Sequence, residues 1–449
     1  MKHFFIFLLS GIITTKTIAQ TAVAESLSFT LKQAVDFAMK NQNDIKNALL
    51  DERIAKANVN EITTMGLPQI NSSFDLKDFI EIPTSLVPAE FFGGDEGTFA
   101  AVKFGTQYQA TAGLDASQLL FSGDYFLGLK ASKTFLEISK KSTQRTKIET
   151  TAQVSKAYYT VLVNQERMSL MNANVTRLKK AMDDTKALYE NGFVEKIDYD
   201  RITVAYNNIV VEQDKVQRLV LLANHLLKFQ MGMDIATNLT LTDKLEDLTL
   251  ELKENISADK FDYNKRVEYN LFENQKALAK LDLKRNRFLY LPTAYAYGSI
   301  SANAQRNEFD IFDTKKSWFP TALIGAKVTM PIFTSGQRHF KIQQAKLKYQ
   351  QAENNMDFIK KSIDLELANA VTTLQNASQS LDIQKKNIAL AEDVFRVAKL
   401  KQEQGVGSSL EVLTAETVLK EAQTNYFNAL FEAVIAKINF DKANGTIQQ

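Results

Sequence analysis

Few residues in this sequence are of the types that perform covalent or metal chemistry. The 449 residues include three histidines and no cysteine. Without cysteine there is no disulfide, thiolate metal site or thiol nucleophile. We expect His225 to lie in helix packing and His339 at the surface, and neither has an evident partner. The sequence therefore predicts no catalytic, cofactor-binding or metal-binding residues, and an enzyme is not expected.

Two acidic residues have a more distinctive setting. Asp198 and Glu411 each lie six positions after a glycine, Gly192 and Gly405, and the two glycines are 213 positions apart. An acid at such a place favours the first turn of a helix, because the positive end of the helix dipole attracts it. The repeated arrangement raises the question of which elements bring these residues to their places.

The composition limits the classes of function. The sequence has 54 Lys and Arg against 52 Asp and Glu, a net charge of +2. A nucleic-acid-binding protein would need a clear basic excess, so nucleic acid is not expected as a partner. Only six prolines and 17 glycines interrupt the chain, which favours long uninterrupted elements.

The N-terminal segment has the features of a secretory signal. Lys2 and His3 precede an apolar run over 4–13, and Ala19 closes a small-residue cleavage site. A membrane anchor is the alternative, but the run is too short to span a bilayer. We therefore expect residues 1–19 to be a signal peptide.

Two long segments carry a seven-residue apolar repeat. Such a repeat predicts helices that supercoil around neighbouring helices. The second segment repeats the register of the first after 213 residues, which indicates an internal duplication. The repeat positions are Val154, Val161, Met168, Val175, Met182 and Tyr189 in the first segment, and Leu367, Leu374, Leu381, Ile388, Phe395 and Gln402 in the second.

The glycines mark the ends of these helices. No proline occurs over 123–192 or 336–405, and ~70 residues of helix would reach on the order of 100 Å at ~1.5 Å per residue. Glycine tolerates a positive φ and so permits a tight reversal. We expect two antiparallel helix hairpins with turns at 190–196 and 403–409. Helix capping alone is the simpler explanation of the same glycines.

At the other ends of the long helices the apolar period changes to two. Alternating segments of about ten residues have the length that a tilted strand needs to cross a bilayer. Strands are predicted over 67–77, 106–119, 292–304 and 319–332. The junctions between helices and strands are predicted at Pro68, Phe121, Gly123, Pro292, Phe333 and Gly336. Trp318 and Phe319 are expected either in an interfacial aromatic belt or in loop packing.

Strands with one apolar and one polar face indicate a membrane barrel with a wet lumen. Four strands cannot close around a channel, and open edges are not tolerated in lipid. The chain should therefore form an oligomer in which each subunit supplies part of one barrel. A secreted periplasmic coiled-coil scaffold or pump adaptor is the alternative, although it would not need the alternating segments.

The order of several motifs resembles that of the TolC-like outer-membrane efflux proteins. The motifs are "LSFTLKQAVDFAMKNQNDI", "GLPQI", "LLFSG", "LYLPTAYAYGS", "MPIFTSGQRHFKIQQAKL" and "QGVGSSLEVLTAE". The resemblance covers essentially all of the mature chain. Together with the duplication, which divides the chain into repeats at 20–235 and 236–449, it implies an α+β membrane protein of the outer membrane. It also implies a homotrimer with a twelve-stranded β-barrel and an α-helical periplasmic tunnel.

The resemblance has further implications for partners and residues. It implies that the tunnel tip docks onto a periplasmic adaptor, or membrane fusion protein, of an inner-membrane pump or secretion system. It also implies that Glu411, and less clearly Asp198, form constricting acidic rings, although Thr414 replaces a second acid. The transported substrate is not readable. The candidate adaptor contacts are Gly192, Phe193, Val194, Gly405, Val406, Gly407 and Ser408.

Overall fold

The computed structural model describes residues 27–245 and 261–447. The predicted signal at 1–19 and the segment 246–260 lie outside the described residues. The described chain forms two compact units. Residues 27–42, 153–245 and 380–434 form the tip unit, and residues 43–152, 261–379 and 435–447 form the sheet unit.

Seven α-helices account for most of the described chain. They are α1 (Leu31–Asn41), α2 (Asn43–Thr64), α3 (Gly123–Glu190), α4 (Lys196–Met231), α5 (Val267–Phe288), α6 (Gln337–Glu403) and α7 (Ser409–Ala443). The helices α3 and α6 have 68 and 67 residues, and α4 and α7 have 36 and 35. The long helices and their returning partners therefore match in length. None of the helices in these two described ranges is both long and apolar enough to cross a membrane.

The seven-residue repeat corresponds to the buried seams of α3 and α6. In α3, Val154 and Val161 have no exposed surface, and Met171 and Leu178 are buried three residues after repeat positions. In α6 the buried positions include Leu367, Leu374, Ala370, Ala377, Ala391 and Ala398. Small alanines in α6 let a neighbouring helix approach closely, as expected for coiled-coil packing.

Four strands form one antiparallel sheet in the order β2, β5, β7, β8. Their bounds are β2 (Gln69–Asp78), β5 (Tyr108–Phe121), β7 (Thr293–Arg306) and β8 (Phe319–Thr329). All four lie where the sequence predicts strands. The strand β8 ends three residues before the expected 332, because Pro331 has no N–H to donate to a ladder. The incoming helices end at Thr64 and Phe288, four residues before Pro68 and Pro292.

Two smaller sheets were not predicted. A hairpin of β3 (Thr84–Pro88) and β4 (Phe99–Lys103) lies in the link between β2 and β5. The short strands β1 (Leu27–Phe29) and β6 (Leu239–Leu241) pair in parallel. In the second link, Trp318 packs against Ala110, Ala304 and Ile311. Loop packing is one of the two roles expected for this residue.

The core of the tip unit joins α1 to α3 and α4. Tyr158 is fully buried, and its hydroxyl lies 2.9 Å from Asp243 Oδ2 and 3.0 Å from the carbonyl oxygen of Phe29. Asp243 Oδ2 also accepts a hydrogen bond of 2.8 Å from the Leu31 N–H at the start of α1. A buried hydroxyl and a free helix N–H thus share one acceptor, which satisfies groups that would be costly to leave unpaired.

Candidate functional site

The first turn between long helices occupies residues 191–195, between α3 and α4. Gly192 has φ +76°, the left-handed conformation that ends many helices. The Phe193 N–H donates to the Leu188 carbonyl over 2.8 Å, which closes the last turn of α3. Phe193 itself is 77% exposed, so the turn presents a large apolar side chain to its surroundings.

The second turn, residues 404–408 between α6 and α7, repeats this geometry. Gly405 has φ +72°, and the Val406 N–H donates to the Lys401 carbonyl over 3.0 Å. Val406, which is 213 positions after Phe193, is 79% exposed. Gly407 fits closely, since a Cβ there would lie 3.0 Å from the Gln402 nitrogen. Both predicted turn glycines therefore have the positive φ on which the prediction depends.

The two acids lie in the first turns of the returning helices. Glu411 Oε1 is 3.2 Å from Lys401 Nζ across the second turn, and its N–H donates to the Ser408 hydroxyl over 3.2 Å. Asp198 Oδ1 is 3.8 Å from Arg201. Within one chain, each acid thus has a nearby cation and a favourable place on its helix. A ring of such acids would need further copies of the chain.

A buried polar network, which sequence reasoning missed, joins the two hairpins within the tip unit. Arg177 Nε on α3 donates to Glu416 Oε1 on α7 over 3.2 Å, and its Nη2 donates to Asn174 Oδ1 over 2.7 Å. Asn174 Nδ2 donates to Gln423 Oε1 over 2.8 Å, and the Arg177 guanidinium lies 4.8 Å from the Phe395 ring centre.

Burial is the main influence on the pKa of Glu416, the acid of this network. Glu416 is buried, which raises the pKa of its carboxyl above the usual range, and Arg177 opposes that rise. The sequence carries one signal of the network. Glu416 and Gln423 are polar and seven positions apart, so they share the face of α7 that also buries Leu419.

The four-stranded sheet separates its residues into two faces. Residues directly opposite each other in a ladder point to the same side. One row across all four strands is apolar, formed by Ile70, Ala116, Gly298 and Ile324. The next row on this face consists of Leu114, Ile300 and Ala322, with the polar Ser72 at its β2 end. This face is open, as the 92% exposure of Ile324 shows.

The opposite face is mostly polar. The row Asn71, Asp115 and Ser299 continues to Leu323, and the row Ser73, Gly113, Ser301 and Thr321 lies beside it. Thr111 Oγ1 donates to Asn303 Oδ1 over 2.8 Å between β5 and β7. The predicted alternation of single strands thus extends in register over the whole sheet.

The two outgoing junctions differ. In the first, β5 ends at Phe121, and only Ser122 separates it from Gly123 at the start of α3. A Cβ on Gly123 would lie 3.1 Å from the Phe288 side chain. In the second junction, residues 330–336 separate β8 from α6, and Gly336 has φ +80°. Phe333 is largely exposed there.

No group of three or more His, Asp or Glu side chains able to hold a metal ion occurs in the described ranges 27–245 and 261–447.

The comparisons with known proteins point one way. The family model described as "Outer membrane efflux protein" matches residues 267–446. The probable efflux pump outer membrane protein TtgC of Pseudomonas putida is 24% identical over 345 residues, 76% of this chain and 69% of that protein. The outer membrane protein TolC of Vibrio cholerae is 18% identical, covering 76% of this chain and 77% of its own length.

The crystal structure of the Campylobacter jejuni CmeC outer membrane channel superimposes with a TM-score of 0.74. It is 17% identical and covers 93% of this chain and 85% of that chain, a likeness that shows the fold. The family model, the relatives and the solved structure all indicate a TolC-like outer-membrane efflux protein.

These comparisons confirm the resemblance found in the motifs, and the predicted location in the outer membrane of a Gram-negative bacterium. The chain has the fold of the CmeC channel, and its described residues are helix-rich with a small number of strands. The relatives are channels and efflux components, which agrees with the prediction that this chain is not an enzyme.

Proposed function

We propose that three copies of this chain form an outer-membrane duct. Each subunit contributes four strands to a twelve-stranded β-barrel and two helix hairpins to an α-barrel tunnel in the periplasm. The duct conducts substrates passively from an inner-membrane pump or type I secretion system, which supplies the energy. The observation that carries the proposal is the four-stranded sheet, with one largely apolar face, one mostly polar face and, among the described residues, two unpaired edges.

The edges of the sheet support closure with neighbouring copies. Among the residues that the structure describes, the outer strands β2 and β8 each pair on one side only. An unpaired backbone edge is costly in lipid, so membrane sheets close into barrels. Four strands are too few to enclose a water-filled channel, whereas twelve are enough. The apolar face would then contact lipid, and the polar face would line the lumen.

The helices support the same assembly. Ile197, Val204 and Val211 form a seven-residue repeat on α4 and are exposed in the single chain. A second exposed repeat on α6 consists of Ile383, Leu390 and Val397. Seams of this kind are buried by a neighbouring helix in coiled coils. Packing the α4 seam of one copy against the α6 seam of the next would bury both.

We also infer that the chain arose by internal duplication, with repeats at 20–235 and 236–449. Equivalent glycines end α4 and α7, since Gly232 has φ +69° and Gly445 has φ +71°. A Cβ on Gly232 would lie 2.8 Å from the Asn41 carbonyl oxygen, and one on Gly445 would lie 2.9 Å from that of Lys265. The same close contact therefore occurs once in each repeat.

The turns at the far ends of the hairpins are the proposed periplasmic mouth. Residues 192–194 and 405–408 are the proposed contacts for a periplasmic adaptor, because Phe193 and Val406 are apolar and highly exposed. Glu411, and Asp198 less directly, would approach their symmetry mates and form acidic rings that attract cations. Engineered cysteines that lock the two turns together should abolish efflux if the mouth opens by moving the hairpins.

The absence of native cysteine permits a direct test of the sheet. Single cysteines at Ile300 and Ser301 differ by one position and lie on opposite faces. In proteoliposomes, we expect a membrane-impermeant maleimide to label S301C and not I300C. Electron microscopy of the detergent-purified protein should show a three-fold cylinder. Equal labelling of both positions, or a protein that is soluble without detergent, would contradict the duct and favour a periplasmic scaffold.

A further inference from the structure

The second outgoing junction carries an unusual concentration of positive charge. Residues 337–348, the first three turns of α6, contain four Lys and Arg and no acid. Residues 280–288, the last turns of α5, contain four more and one acid, Asp282. We call these eight side chains the basic patch. They are Lys280, Lys284, Arg285, Arg287, Arg338, Lys341, Lys346 and Lys348.

The first repeat has no such patch. Its equivalent segments, 124–135 and 56–64, contain three Lys and two acids in total. The basic patch is thus a property of one repeat and not of the shared architecture. It lies within the sheet unit, at the ends of β7 and β8 that join the helices.

Helix stability does not explain the cations of α6. The start of a helix carries a partial positive charge, so cations there are unfavourable and acids are favourable. The start of α3 follows this rule with Asp124, and the start of α6 has no acid in its first turn. The dipole effect falls off within the first turn, so helix stability gives no reason for Lys341, Lys346 and Lys348 to be in this place.

Two members of the basic patch have structural partners. Arg338 is buried, donates to the Pro331 carbonyl over 2.9 Å and lies over the Tyr290 ring. Arg285 pairs with Asp124. The remaining side chains Lys280, Lys284, Arg287, Lys341, Lys346 and Lys348 are exposed and form no ion pair with any described residue. Their charges are available to a partner outside the chain.

The patch is also adjacent to exposed apolar side chains. Ile332 and Phe333, between β8 and α6, are 95% and 85% exposed, and Phe340 on the first turn of α6 is also exposed. A cavity of about 400 Å³ between α5 and α6 brings Arg285, Lys341 and Lys348 together with Asp124 and Asp282. Apolar side chains beside unpaired cations, at the end of strands with an open apolar face, match the chemistry of a membrane surface.

We propose that the basic patch binds the anionic phospholipid headgroups of the bilayer leaflet at the helix-joined ends of the strands. Lys341, Lys346, Lys348, Lys284 and Arg287 supply the charge, and Ile332, Phe333 and Phe340 insert at the level of the headgroups and upper acyl chains. The second repeat then holds the duct at a fixed depth in the membrane. This inference rests on the proposed placement of the sheet in lipid.

Lipid binding to the intact detergent-solubilised protein tests the proposal. Native mass spectrometry would compare phosphatidylglycerol with phosphatidylcholine of the same acyl chains. The variant is K341Q/K348Q, and the matched control is K385Q/K386Q, which removes two exposed lysines from the same helix far from the junction. A charge-preserving variant, K341R/K348R, checks that a loss is not due to misfolding.

We expect tighter binding of phosphatidylglycerol, weakened about tenfold in K341Q/K348Q, since each basic residue near an anionic surface adds appreciable affinity. K385Q/K386Q and K341R/K348R should bind like the unaltered protein. Salt above about 0.1 M should reduce the preference. Equal binding of the two lipids, or an equal loss in both glutamine variants, would overturn the inference alone.

Two further outcomes would point to a different ligand or to a different location of the sheet. Competition by millimolar inorganic phosphate would indicate a phosphate site and overturn the assignment to lipid. If the unaltered protein bound neither lipid, the placement of the sheet in the membrane would be wrong, and the proposed duct with it. Persistent phosphatidylcholine binding without a preference would leave the duct intact while removing the inference.

Discussion

The two proposed repeats of the chain are alike at the ends of α4 and α7 and differ at the junction between sheet and long helix. The contacts of Gly232 and Gly445 are nearly identical, and the turn glycines Gly192 and Gly405 share one conformation. The first outgoing junction is short and acidic at Asp124, whereas the second is longer and basic. The two halves therefore differ where a long helix leaves the sheet, and they agree where the backbone of a glycine contacts the backbone of another segment.

The most damaging single changes should be those at the equivalent glycines. Gly232→Ala and Gly445→Ala would each place a methyl group against a carbonyl oxygen and force alanine into a left-handed conformation. We expect each to lower the free energy of unfolding by about 3 kcal/mol. Urea unfolding in detergent, followed by circular dichroism, would measure the change.

Gly93→Ala is the matched control for these substitutions. Gly93 also has a positive φ, but a Cβ there meets nothing within 4 Å. We expect a loss of only about 1 kcal/mol, which is the conformational cost alone. Unequal effects at Gly232 and Gly445 would argue against equivalent contacts in the two repeats.

A second prediction concerns a clamp in the second of the proposed repeats. Arg266 is buried and donates to Glu268 over 3.0 Å, to Glu366 over 2.7 Å and to the Ala443 carbonyl over 2.9 Å. Gln42 precedes α2 as Arg266 precedes α5. We expect Arg266→Gln to cost about 2 kcal/mol, because the partly exposed carboxylates can be rehydrated while the buried carbonyl cannot.

The same unfolding assay would measure this loss. Arg53→Gln provides the control, since Arg53 is exposed on α2 and its replacement should change stability by less than about 0.5 kcal/mol. An equal, small effect of both substitutions would show that the clamp contributes nothing to the second repeat.

Much of this architecture could be predicted from periodicity. The seven-residue repeat identified the buried faces at Val154 and Leu374, and the two-residue period identified the sheet, because both patterns are local. The β3–β4 hairpin was missed because five-residue strands inside a longer link leave little pattern. The Arg177–Glu416 pair was missed because it joins residues 239 positions apart. The proposed acidic rings would need several copies of the chain and are not a property of one chain.

The third prediction tests whether the buried network that joins the two hairpins makes the stability of the protein depend on pH. Burial raises the pKa of Glu416 in the folded protein above its unfolded value. The stabilisation from protonated Glu416 is therefore fully present below the unfolded pKa and is lost as the pH rises through the folded pKa. Thermal unfolding from pH 4 to pH 7 should show a steeper decline for the unaltered protein than for Glu416→Gln. Parallel profiles would mean that Glu416 has no role in pH dependence.

The smallest effects are expected at the exposed turns, where the two repeats should again behave alike. A Cβ on Gly192 or Gly405 meets nothing within 4 Å, so alanine should cost only the left-handed backbone strain, about 1 kcal/mol at each turn. Gly407→Ala adds a close contact with the Gln402 nitrogen, whereas Val194 already bears a side chain at the equivalent position of the first turn. Urea unfolding should rank G192A equal to G405A. The backbone strain is the same for alanine at either glycine. If the two losses of unfolding free energy differed by more than about 1 kcal/mol, the turns would therefore differ in packing despite their shared conformation.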